Sequence, residues 1–248
     1  MIANCAPFDE RDIAYARVNP SRARSFAKAA GYLVKTDAVD ACMLAVMGQA
    51  LAPLPDRGLD HEREALANLH KRRDQLVAMR AAERVRLSEA PDLTDSLQSH
   101  IAWLNAEIRR LDARIAAAID TNAVLTEQAR LLRSAPGVGP VAATTLLALM
   151  PELGSLSPKA AAALAGLAPF NADSGQFRGL RRIGGGRRRV RQALYMAAIT
   201  AVRSASRFKG FYEGLRAQGK PAKVALVAVA RKLIVILNAI IRDRIAFQ

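Results

Sequence analysis

Residues 125–150 read LTEQARLLRSAPGVGPVAATTLLALM. A helix from Leu125 through Arg133 runs into Ala135-Pro-Gly-Val-Gly-Pro140, and an apolar helix follows from Val141 to Met150. Glycine gives the backbone the freedom for a tight reversal, and proline suits the first helical position, where its missing N–H would be unpaired anyway. Two helices joined by so short a turn pack on each other, so the stretch predicts an all-α module over residues 123–248. Further helices are expected there from Ser157-Pro158 to about Leu167, from about Arg187 to Ser204 and from Ala222 to Arg244, with a charged turn between the last two.

Upstream, residues 59–122 are charge-rich and helical. Leu97, Ile101, Leu104, Ile108, Leu111 and Ile115 recur in steps of four and three, a heptad seam. Leu66, Leu69, Leu76 and Met79 offer a weaker stripe, which predicts a long antiparallel helical hairpin or an intermolecular coiled coil. Homo-oligomerisation and packing within one chain both fit that seam. Met79 and Trp103 are read as packing residues. Residues 1–58 form a third segment, with one strand over 12–18, a helix from Ser21 to Ala30 and another from Thr36 or Asp37 to Gln49.

Composition narrows the partners. From Ser174 to Gln248 there are 17 Lys and Arg against Glu213 and Asp243, whereas residues 1–173 carry 20 of each sign, so all of the +15 net charge is local. A basic face confined to one module is what a polyanion requires, and nucleic acid is the first candidate. The apolar stretch Val224–Ile241 is interrupted by Arg231 and Lys232, so it reads as a buried helix and no membrane partner is expected. The N-terminus has no basic start with a long apolar run, and Cys5 and Cys42 have no metal-like spacing to the histidines, which fits a cytoplasmic protein.

The Gly137-Val138-Gly139 turn between its helices resembles the helix-hairpin-helix DNA-binding motif, in which glycines let backbone N–H groups approach a phosphate. A tight interhelical turn with no ligand fits the same residues. Seven arginines follow within residues 178–191: Arg178, Arg181, Arg182, Arg187, Arg188, Arg189 and Arg191. Three of them sit where a helix should begin, directly after Gly184, Gly185 and Gly186, and the helix dipole disfavours cations there, so an anion is expected at that point. Ser174, in Asp173-Ser174-Gly175, is a plain turn serine or, amid guanidinium groups, a nucleophile toward a phosphodiester. Asp37 and Asp40 are three apart on one helical face, a spacing that suits either a divalent cation or an ordinary helix start.

Three ordered segments resemble one family: Val18-Asn19-Pro20 through Asp37 and Asp40, the Ala135–Pro140 hairpin, and Ser174-Gly175 with Arg178, Arg182 and Gly185-Gly186-Arg187. They are similar to the DEDD-type insertion-sequence transposases, recombinases guided by a bridge RNA. The resemblance implies a remnant α/β RuvC-like domain over 1–58, a coiled-coil hairpin over 59–122 and a C-terminal transposase domain over 123–248. It implies catalysis by Ser174, with Asp37 and Asp40 as the last two acids of a Mg²⁺-binding quartet, and DNA and a guide RNA as partners. The strands that supply the first two acids have no counterpart here, which implies an N-terminally truncated chain. A non-catalytic nucleic-acid-binding protein, using only the hairpin and the arginine track, is the alternative.

Overall fold

The computed structural model of the protein describes residues 11, 13–32, 34, 36–53, 55, 60–170, 182–204 and 206–248. Among these, ten α-helices and one two-residue β-ladder make the chain mainly α. It divides into two compact units, Met1–His61 and Glu62–Gln248.

In the first unit, Asn19 caps α1 (Pro20–Ala29), its side chain accepting from the Ser21 N–H at 2.8 Å. Thr36 caps α2 (Asp37–Leu51) by accepting from the Val39 N–H at 3.3 Å. Met43 and Met47 are buried on one face of α2. The expected strand is not found: residues 13–18 join no ladder, since no second strand stands beside them among the described residues.

In the second unit, α3 (His61–Glu89) and α4 (Thr94–Asp120) are joined through a 3₁₀ turn at Pro91–Leu93. Polar contacts fix them antiparallel. Arg73 reaches Asp112 at 2.5 Å, Arg80 donates to Asn105 at 2.8 Å, and His100 meets Glu83 at 3.2 Å, so partners advance along one helix as they recede along the other. Leu104, Ile108 and Leu111 bury against Leu76, and Leu66 and Ile115 extend into the main core. The α3 stripe is weak in sequence because His70 and Glu83 occupy buried positions that leucines would otherwise mark. Met79 is a correction, lying off the seam and 44% exposed. Trp103 is also off the seam and 53% exposed, but it packs as expected, stacking on His100.

The remainder comprises α5 (Ala123–Arg133), α6 (Pro140–Leu149), α7 (Pro158–Leu164), β1 (Pro169–Phe170), β2 (Arg182–Ile183), α8 (Arg188–Arg203), α9 (Arg207–Ala217) and α10 (Ala222–Asp243). α7 stops short of Leu167 because Gly166 turns left-handed, which returns the Leu167 N–H to the Ala162 carbonyl. The expected charged turn is the helix α9. Its Phe208 is fully buried and stacks on Phe247.

α10 is long and apolar enough to cross a membrane by length and composition. Here it is the central core helix, burying Val229, Leu233, Ile234 and Leu237 against α5, α7, α8 and α9. From it, the buried Asn238 accepts from the Gly154 N–H at 2.8 Å and donates to the Leu156 carbonyl at 2.7 Å, holding the segment that leads into α7.

α3 is seated on this core by polar contacts. Arg63 donates to the Leu147 carbonyl at 2.8 Å and to Gln128 at 2.7 Å, and Asp74 pairs with Arg189. His70 lies 3.1 Å from the Thr145 hydroxyl, which itself donates to the Val141 carbonyl. That hydroxyl has one proton, so His70 Nε2 is the donor between them.

Asn238→Ala removes both clamps and is expected to destabilise the fold by about 2 kcal/mol, measured as a lower urea midpoint with unchanged slope. Burial pushes the His70 imidazole below its ordinary pKa; Asp74 opposes this, Arg73 and Arg189 add to it, and Asp112 opposes it. The folded chain thus holds His70 neutral while the unfolded chain protonates it below about pH 6.5, so this contribution is complete above that pH and is lost as pH falls. His70→Gln is expected to flatten the acid side of a stability-versus-pH curve.

Candidate nucleic-acid interface

The hairpin between α5 and α6 has two faces. Gly137 has a φ of +82°, and a Cβ there would lie 2.1 Å from the Ala197 carbonyl oxygen and 2.7 Å from the Ala201 nitrogen, so its backbone rests directly on α8. Val138 is buried beside it. Gly139 is exposed, caps α6 ahead of Pro140, and would hold a Cβ with nothing within 4 Å. The two glycines expected to admit a phosphate thus part company: Gly137 serves packing, and Gly139 lies on the open side. Beyond it, the Val141 and Ala142 N–H groups at the start of α6 make no backbone hydrogen bond among the described residues. Arg130 and Arg133 are exposed on the last turn of α5.

A second close approach shapes the start of α8. Gly186 has a φ of +59°, and a Cβ there would lie 2.3 Å from the Gly166 nitrogen. The Arg187 N–H donates to the Leu164 carbonyl at 2.8 Å. Arg191 donates to the carbonyls of Gly185 at 2.8 Å and Gly166 at 3.3 Å, which ties the loop to the end of α7.

The arginines here have different employments. Arg187 forks onto both oxygens of Glu152 at 2.7 Å, and Arg189 pairs with Asp74. The anion expected beside these helix-start cations is therefore present in the protein itself, as two carboxylates. Arg188 is exposed, with no hydrogen bond or ion pair among the described residues. Asp74, Glu152 and His70 escaped the sequence reading, since no local pattern joins them to arginines or a threonine that lie 35 to 115 residues away.

Ser174, Arg178 and Arg181 lie outside the described residues, as does the Arg182 side chain. Their flanks are described: Pro169 pairs with Ile183 and Phe170 with Arg182, antiparallel, between the end of α7 and the start of α8. In the first unit, Asp37 is exposed at the first position of α2 and Asp40 is partly buried one turn later, beside the Thr36 cap. No group of three or more metal-ligating side chains comes together among the described residues, so the pair does not by itself build the four-carboxylate Mg²⁺ site of the resemblance.

Known proteins are similar to this chain in sequence. The sequence profile of the family described as Transposase IS116/IS110/IS902 matches residues 129–213, from the end of α5 into α9. The pilin gene-inverting proteins of Moraxella lacunata and Moraxella bovis are each 32% identical over 239 residues, covering 93% of this chain and 73% of theirs. The chain belongs to this transposase family. A protein of insertion element IS110 from Streptomyces coelicolor is 32% identical over 151 residues, 60% of this transposase and 36% of that protein.

The two hairpin glycines of the transposase are expected to respond differently. Gly137→Ala drives a methyl into backbone and should lower the melting temperature by more than about 8 °C or prevent folding. Gly139→Ala should shift it by no more than about 2 °C in the same thermal scan.

Proposed function

We propose that this transposase cuts and rejoins DNA through the Ser174 hydroxyl. What supports the reading is sequence order: Ser174 and the arginine-rich segment fall within the matched residues 129–213, and the chain's relatives are named for insertion elements and gene inversion.

In the proposed step, Ser174 Oγ attacks a DNA phosphorus, a phosphoserine ester forms and the bond to one sugar oxygen breaks. The proton released by serine balances the one that the leaving oxygen takes up. A phosphodiester replaces a phosphodiester, so a second strand's hydroxyl reverses the step without an external energy source. Arg188, with Arg178, Arg181 and Arg182, neutralises the charge of the five-coordinate phosphorus, while Arg187, Arg189 and Arg191 hold the frame. DNA contacts at Gly139 and the start of α6 fix the backbone without reading bases.

Self-association through the α3–α4 hairpin, a guide RNA and a cytoplasmic setting belong to the same reading. Exposed Met79, Val85 and Trp103 on that hairpin support the first. Asp37 and Asp40 are the residues that would hold a magnesium ion, and no step here depends on it.

Ser174→Ala is expected to abolish a covalent adduct with DNA taken from both flanks of the chain's own coding sequence, read as a protease-sensitive shift in a denaturing gel. Salt-sensitive binding should persist, with affinity falling by orders of magnitude between about 50 mM and 200 mM salt. An adduct that survives the substitution rules out the serine, and binding alone in both proteins favours the non-catalytic reading.

A further inference from the structure

A groove of about 860 Å³ opens between the base of the α3–α4 hairpin and the α5–α6 hairpin. That volume suits a nucleotide-sized ligand. Ile115, Ile119, Ala129 and Val141 give it apolar walls, and Arg73, Arg130 and Arg133 stand in its lining. Arg73 is held by Asp112, while Arg130 and Arg133 are exposed without a hydrogen bond or ion pair among the described residues. Pro140 and Val141 bring the positive end of α6 to the same groove.

The deciding feature is His70. It lines the groove, is 2% exposed, and its Nδ1 is the buried side-chain polar atom without a partner among the described residues. Because Nε2 donates toward Thr145, Nδ1 is a bare acceptor, and a buried acceptor left unpaired is costly. The groove therefore asks for a ligand with an anion at one end, a flat apolar body and an N–H or O–H donor at the other.

We propose that this groove receives one unstacked nucleotide of the bound nucleic acid. Its phosphate meets Arg130, Arg133 and the α6 N–H groups, its base lies between Ile119, Ala129 and Val141, and a base-edge donor reaches His70 Nδ1. The inference rests on nucleic acid being the partner, and it adds a site outside the Ser174 segment.

The test uses the full chain with deoxyadenosine monophosphate as the probe and inorganic phosphate as the comparison, by calorimetry. Binding near about 1 mM or tighter is expected, with inorganic phosphate at least tenfold weaker. Ala129→Trp fills the groove and should remove binding, while exposed Arg130→Gln should weaken it about tenfold. Ala129→Trp, which leaves every arginine in place, should still bind duplex DNA with a steep salt dependence. Equal affinity for inorganic phosphate, no probe binding at about 10 mM, or binding untouched by both substitutions overturns the site. Loss of duplex binding by the unaltered chain instead overturns the nucleic-acid reading, independently of the probe result.

Discussion

Everything in the second unit is organised around backbone laid against backbone. The hairpin between α5 and α6 can rest on α8 only because Gly137 has no side chain, and the loop before α8 can rest on α7 only because Gly186 has none. These two contacts set where α8 starts and which way its first turn faces. Cores of this kind use alanine where helices meet, as Ala197, Ala198 and Ala201 do on α8, because larger residues would hold the backbones apart. The positions of Arg188 and of the strands bounding residues 171–181 follow from that geometry.

The basic charge divides by employment. Arg187 and Arg189 spend their guanidinium groups on Glu152 and Asp74, and Arg191 spends its on carbonyl oxygens at the end of α7. Each of these joins the start of α8 to another element, so removing one alters the frame as well as the field. Arg188, Arg130 and Arg133 face solvent, and in the proposed function they are the ones left to meet a phosphate. A dense run of arginines is thus a mixture of struts and contact points, distinguishable once their partners are known.

Much of this was legible in the chain. The steps of four and three through Leu104, Ile108, Leu111 and Ile115 became a buried seam, and Pro140 and Pro158 marked first helical turns as their missing N–H groups require. Phe208, Phe211, Tyr212 and Leu215 carried the period of α9, but glycines and charges around them masked it. Met79 looked like a seam residue because the true seam on α3 is partly polar, and polar seam positions satisfied across a hairpin leave no apolar mark. The separate duties of Gly137 and Gly139 were not readable, since both satisfy one turn pattern and only the neighbouring helix tells them apart.

The ladder pairing Phe170 with Arg182 has a consequence for how this chain varies. The Arg187 N–H bond to the Leu164 carbonyl and the Arg191 bonds to the Gly166 and Gly185 carbonyls brace the same point, so the ends of the ladder are tied to both α7 and α8. A substitution that loosens either brace should therefore move both strand ends together, so a change at one strand is felt at the other.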